Sequence, residues 1–216
     1  MTLYEQVGSF RYSERSPLFD YSRAEDCFFG ILFEKLMVIV YTGKAMQTSG
    51  AYAPRGVNMS LLTPKYRFNR ISDIPISFFF DRQIEGLILD VDNTLTTHDN
   101  PEPAAGVLQW LNRAREAGLR MVILSNNSSD RVQPFAELLD LEFEADGKKP
   151  AIGGVVRACR HIATPPSRTA MIGDQIFTDI LGGNRAGLLT VFVDPIQPEA
   201  GWFFRLKRWC ERFILR

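Results

Sequence analysis

The stretch LILDVDNTLT, Leu87 to Thr96, constrains this chain more than any other. Its first residues are apolar enough for a buried strand, which ends on two carboxylates, Asp90 and Asp92, with one valine between them. Charge at the end of a buried strand is costly unless a cation or fixed dipoles compensate it. From Ile84 onward the same grammar repeats. IEGLIL, LRMVILS, LEFEA, TAMIG and LTVFVD read as strands, and PAAGVLQWLNRAREAG, RVQPFAELL, AIGGVVRACRHI and TDILGGNRAG as the helices between them. Near-continuous apolar strands alternating with helices predict an α/β fold of Rossmann-like type. Its parallel sheet would have about five strands, with helices on both faces.

The helices carry their own signals. Val107, Leu108, Leu111 and Ala114 recur at helical spacing, and Gly118 is the expected C-terminal cap. Asp130 is the expected cap of a helix that buries Val132, Phe135, Ala136 and Leu139, with Pro134 in its first turn. Gly153 and Gly154 weaken the third helix. LGGNRAG is not a phosphate-binding loop of Walker type and is read as tight packing followed by a helix end.

Ligands of an open parallel sheet bind outside the carboxyl ends of its strands. Asp90 and Asp92 follow the first strand, Ser125 and Asn126 the second, Lys148 and Lys149 the third, and Asp174 and Asp179 the fourth. Acids, a hydroxyl, an amide and a lysine therefore converge on one edge. Such a set suits phosphoryl transfer with Mg²⁺, which takes a few carboxylates, water and substrate phosphate. Asp90 and Asp174 are candidate ligands. A carboxylate can also attack phosphorus and divide one hard step into two. Asp92 would protonate the leaving alkoxide and later activate water. Ser125, Lys149 and the amides around Val91 to Asn93 would hold the phosphoryl oxygens.

DVDNTLT, ILSNN, KKP and GDQIFTD resemble the four motifs of haloacid dehalogenase (HAD) superfamily phosphatases, and DVDNT resembles class III of that superfamily. IGDQIFTDILGGNRAGLLTVFVDPI is similar to the bacterial subclass IIIA proteins related to phosphatidylglycerophosphatases. The resemblance runs from about Met59 to Arg216. It implies Asp90 as nucleophile, Asp92 as acid and base, and Ser125 and Lys149, with Asn126 beside them, as phosphate binders. It also implies Mg²⁺ held by Asp90, the Asp92 carbonyl and Asp174, with Asp179 supporting. Lys149 is preferred to Lys148 because the family's lysine directly precedes proline. The implied substrate is phosphatidylglycerophosphate, a phosphate ester with a lipid headgroup.

Other readings stand beside these. Ser125 alone would cap a helix, Lys148 and Lys149 alone would be a solvated turn, and Asp179 is as well explained as a helix cap. His98 sits just beyond the first motif, where it could touch substrate, but a surface histidine is the preferred reading. The substrate could instead be a soluble sugar or nucleotide monophosphate, and a catalytically silent scaffold keeps the fold without turnover. Intact Asp90 and Asp92 argue against the scaffold. No basic stripe near the motifs suggests a nucleic-acid partner, and the formal net charge is zero.

The three scattered cysteines offer no disulfide framework, and the two histidines form no zinc-ligand pair. No stretch is convincing as a signal peptide or membrane span. A cytoplasmic protein is expected, with possible peripheral contact at the inner face of the membrane. Residues 1–58 show no strand–helix alternation and are read as an extension dispensable for folding and catalysis. Residues 59–199 form the phosphatase domain, and residues 200–216 an amphipathic aromatic and basic helix. In the latter, Trp202, Leu206, Trp209 and Phe213 share one seam, and Arg205, Lys207, Arg208, Arg212 and Arg216 are opposed by Glu211. Such a segment suits a membrane interface, the domain surface or a homo-oligomer contact. The intervals from Asp92 to Ser125 and from Ser125 to Lys149 are too short for a cap domain.

Overall fold

Period-two alternation decides how the strands are used. In the computed structural model, which describes residues 59–98 and 100–197, Leu87, Leu89, Met121, Ile123, Ala170 and Ile172 enter one core cluster. The residues between them, Ile88, Val122, Leu124 and Met171, enter a second. A sheet whose two faces are both apolar must be covered on both sides.

Six strands form one parallel sheet in the order β1-β6-β5-β2-β3-β4. They are β1 (Tyr66–Phe68), β2 (Gly86–Leu89), β3 (Arg120–Leu124), β4 (Glu142–Glu144), β5 (Thr169–Gly173) and β6 (Leu189–Val193). The helices are α1 (Ser77–Phe80), α2 (Val107–Glu116), α3 (Ser129–Leu139), α4 (Ile152–His161) and α5 (Leu181–Ala186). A π-helical turn, Ile176–Ile180, runs directly into α5. Trp110 of α2 and Phe135 of α3 contribute to one core cluster, and Val155 and Ala158 of α4 to the other.

All five expected strands are present. The sixth, β1, pairs with β6 in the register Tyr66↔Val191. Its Tyr66 and Phe68 meet Phe78 of α1 edge-on, at centroid distances of 4.9 and 5.3 Å. The Arg82 guanidinium lies 4.0 Å from the Phe78 ring centre. Three residues are too few to show a period, so aromatic packing rather than pattern fixes this strand.

Two helix readings are corrected. The apolar stripe of α2 is Val107, Trp110, Leu111 and Ala114, while Leu108 is 47% exposed. Trp110 is fully buried, and its Nε1–H donates to the Ile74 carbonyl at 2.8 Å, which satisfies its one polar atom. At α3 the cap position is Ser128, so Asp130 lies in the first turn and Pro134 in the second. There Asp130 complements the positive helix end. Gly187 ends α5 at φ 78°, and a Cβ on Gly183 would lie 2.7 Å from Thr190 Cγ2, as expected of tight packing and a helix end.

Between Asp92 and Ser125 the described chain forms α2 and β3, and between Ser125 and Lys149 it forms α3 and β4. Neither interval holds a further folded unit among the described residues. No helix among them is long and apolar enough to cross a membrane. The extension expected over residues 1–58 and the helix expected over 200–216 lie outside the described residues.

Trp110→Ala should cost about 3–5 kcal/mol, the range for emptying a buried aromatic site. Leu108→Ala should change stability by less than about 0.5 kcal/mol, as exposed positions do. Urea unfolding of both variants checks the face assignment, and equal losses would contradict it.

Candidate active site

The strand order places a topological switch at β2. Its neighbours are β3, which follows it in the chain, and β5, to which the chain returns after β4. The carboxyl ends of β2 and β5 are therefore side by side, and Asp90 and Asp174 are the residues directly after them. The register Leu89↔Ile172 and the bond from Asp90 N–H to the Ile172 carbonyl, 3.0 Å, lock these ends together.

Asp90, Asp174 and Asp179 are all buried, and each offers a carboxylate oxygen within 4.8 Å of the others. Asp179 reaches the cluster because the π-helical turn folds it back over the end of β5. Its Oδ2 accepts the Gln175 N–H at 3.1 Å. This tight return needs Gly173, where a Cβ would lie 2.4 Å from Asp179 Oδ2. Asp179 thus caps the turn and lies in the acid cluster at once.

Lys149 is the lysine that reaches these acids. Its ammonium donates to Asp90 Oδ1 at 2.5 Å and to the Leu124 carbonyl at 2.9 Å, and it pairs with Asp179 Oδ1 at 2.7 Å. Lys148 is exposed. Burial alone would lower the Lys149 pKa, but Asp179 and Asp90 outweigh it and raise the pKa above the ordinary lysine value. Asn126 fixes the Lys149 main chain from both sides. Its Oδ1 accepts the Lys149 N–H at 2.6 Å, and its Nδ2 donates to the Lys149 carbonyl at 3.1 Å. The Asn126 amide is thereby committed to positioning Lys149.

Thr94 Oγ1–H donates to Asp90 Oδ2 at 3.3 Å. Asn93 supplies the turn with φ 59°, and its carbonyl accepts the Ile196 N–H at 3.1 Å. Ser125 is buried directly after β3, and its Oγ accepts the Asn127 N–H at 3.1 Å, a local turn bond.

The Asp92 side chain stands apart from the acid cluster, nearer the surface, and is 24% exposed. Its Oδ2 accepts Asn127 Nδ2 at 2.7 Å, and its Oδ1 lies 3.4 Å from Arg131 Nη2 and 3.3 Å from His98 Nδ1. Sequence reading had not singled out Asn127 or Arg131; His98 is exposed, as read, and also reaches Asp92 Oδ1. One signal was available. Arg131 stands in the first turn of α3, where a cation opposes the helix dipole unless an acid compensates it.

Three buried carboxylates face one buried ammonium, so the cluster lacks positive charge. The consequence falls on Asp90, whose pKa is pushed up to about 7, first by burial and then by Asp179, against the pull of Lys149. A compact nest of hard oxygen donors with excess negative charge fits a hard divalent cation. Asp90, Asp174 and Asp179 are the residues that could hold one.

Comparison with known proteins finds similarity to hydrolases. The family described as "Hydrolase: haloacid dehalogenase-like hydrolase" matches residues 81–187. The probable phosphatase YqeG of Bacillus subtilis is 37% identical over 135 residues, spanning 62% of this chain and 78% of that protein. The chloroplastic phosphatidylglycerophosphate phosphatase 1 of Chlamydomonas reinhardtii is 32% identical over 152 residues. That match spans 65% of this chain but only 56% of the algal protein. Among solved structures, NagD from E. coli K-12 aligns with a TM-score of 0.44 at 14% identity, over 51% of this chain and 87% of that one. The sheet topology, the buried acids at its switch point and the family match agree: the chain belongs to the haloacid dehalogenase-like hydrolases.

Proposed function

We propose that the protein is a Mg²⁺-dependent phosphatase that works through an aspartyl-phosphate on Asp90 and acts on phosphatidylglycerophosphate. The buried meeting of Asp90, Asp174 and Asp179 with Lys149 carries the catalytic part of this reading. Bound Mg²⁺, held by Asp90, the Asp92 carbonyl and Asp174 with Asp179 supporting, would supply positive charge that draws the phosphate in and stabilises its oxygens. Asp90 attacks phosphorus, and the ester oxygen departs with the proton of Asp92. Asp92 then takes a proton from water as that water attacks phosphorus, which frees inorganic phosphate and restores Asp90. Lys149 and the amides following Asp90 hold the phosphoryl oxygens, with Ser125 at the same edge. Thr94 and Lys149 aim the Asp90 carboxylate from opposite sides.

The lipid part rests on likeness and on shape. The algal relative bears the name of a phosphatidylglycerophosphate phosphatase, and the intervals that commonly carry a cap are short here. A headgroup whose acyl chains stay in a bilayer needs an accessible edge. The basic residues of 205–216 would favour an anionic surface by about 1 kcal/mol each. These features also fit the subclass IIIA resemblance and a peripheral position at the membrane. The competing reading is a soluble sugar or nucleotide monophosphate.

Asp90→Asn should lower turnover of any phosphate monoester by roughly four orders of magnitude. Unchanged turnover would exclude Asp90 as nucleophile.

Mg²⁺ at a hundred times its Kd should stabilise the protein by about 2.7 kcal/mol. Gly173→Ala, which drives a methyl group into Asp179, should lose most of that stabilisation in thermal unfolding with and without Mg²⁺. A full Mg²⁺ response in this variant would separate Asp179 from the metal site.

For the substrate, turnover of phosphatidylglycerophosphate in mixed micelles is compared with glycerol phosphate, sugar phosphates and nucleotides. A preference for the lipid is expected. Rapid turnover of soluble esters with the lipid untouched would refute the lipid assignment.

A further inference from the structure

The outer oxygen of Asp92 is flanked by cationic and imidazole nitrogen from two different parts of the chain. Arg131 comes from the first turn of α3, and His98 from the loop after β2. Arg131 Nη2 lies 3.4 Å from Asp92 Oδ1 and 3.3 Å from His98 Nδ1, and His98 Nδ1 lies 3.3 Å from Asp92 Oδ1. A guanidinium only donates, so a hydrogen bond between the two bases makes His98 Nδ1 the acceptor. A bond from His98 to Asp92 makes the same nitrogen the donor. One nitrogen cannot serve both at once. Both side chains are also substantially open, Arg131 39% and His98 57% exposed.

Their position relative to the chemistry gives them a direction. In the mechanism above, Asp92 must lie within about 3 Å of the departing ester oxygen to protonate it. Arg131 and His98, both exposed, meet the Asp92 oxygen that Asn127 does not hold. They therefore face the alcohol part of the substrate, not the phosphate being transferred. A planar fork of N–H donors is the residue chemistry that selects phosphate or carboxylate.

We propose that Arg131, assisted by His98, is a specificity residue that binds a second anionic phosphate group carried on the leaving alcohol, a short carbon spacer from the scissile ester. Asp92 holds the guanidinium in place while the site is empty and shares it when the second phosphate arrives. This inference rests on the placing of Asp92 as acid and base, and it narrows the substrate class to esters with two phosphates. A phospholipid headgroup carrying both a phosphodiester and a phosphomonoester belongs to that class, and so does a soluble sugar bisphosphate.

The test uses the full chain and three soluble esters: glycerol 3-phosphate, a sugar bisphosphate, and the deacylated headgroup glycerophosphoryl-glycerophosphate. The intact lipid is assayed in parallel. The ratio of kcat/KM for the better two-phosphate ester to that for glycerol 3-phosphate is the readout. One charge-assisted hydrogen bond should make Arg131→Gln lower this ratio about ten- to a hundredfold. Arg131→Lys, which keeps the charge, should recover part of it. A role confined to orienting Asp92 would depress all esters alike, so a ratio within about twofold of the parent overturns the proposal, as does a parent enzyme with no preference for two phosphates. If the sugar bisphosphate is preferred and the lipid is not turned over, the lipid reading fails while the role of Arg131 stands.

Discussion

Compensation of buried negative charge is the constraint on which this structure depends. Three carboxylates meet at the switch point of the sheet, and Lys149 is the buried cation that answers them. Removing one partner of a buried ion pair costs about 3–5 kcal/mol, because the other is left desolvated and unpaired. The surrounding loops are built to keep Lys149 from leaving. Asn126 grips its main chain on both sides, the Leu124 carbonyl takes a further ammonium proton, and Gly173 lets Asp179 close over it. Even so, the Asp90 pKa is raised, first by burial and then by Asp179, and one ammonium leaves the cluster with a deficit of positive charge. A bound divalent cation would remove it.

The two aspartates of the DVD motif therefore live in different environments although one residue separates them. Asp90 belongs to the interior, with Lys149 and Thr94 on its two oxygens. Asp92 belongs to the rim, with Asn127 on one oxygen and Arg131 and His98 beside the other. Environment separates the roles of like residues. A carboxylate aimed from two sides suits the proposed attack on phosphorus. A carboxylate nearer water suits proton exchange with a leaving group and then with water.

Most of the sheet was legible because β2, β5 and all of β3 after the exposed Arg120 are buried on both faces and are mainly apolar. The order of Asp90, Ser125, Lys149 and Asp174 was legible because each directly follows a strand or its short loop. β1 was not, since its partner β6 lies more than a hundred residues away and its packing depends on Phe78 and Arg82. Leu108 was misplaced because a leucine and a tryptophan two residues apart compete for one stripe. The helix start at Val107, set by Gly106 at φ 81°, decides for Trp110. The Asp92 rim escaped because Asn127 and Arg131 are ordinary polar residues at a helix entrance. Only the fold brings them to an acid 35 and 39 positions earlier.

The measurement closest to the central claim is a chemical trap of the phosphorylated enzyme. The protein is quenched in acid during turnover of a phosphate ester with Mg²⁺ present and then reduced with borohydride, which converts an acyl phosphate to an alcohol. Peptide mass spectrometry should find homoserine in place of aspartate at position 90 and nowhere else, dependent on substrate. Unmodified Asp90 in an enzyme that turns over, or the modification at another carboxylate, would contradict the account.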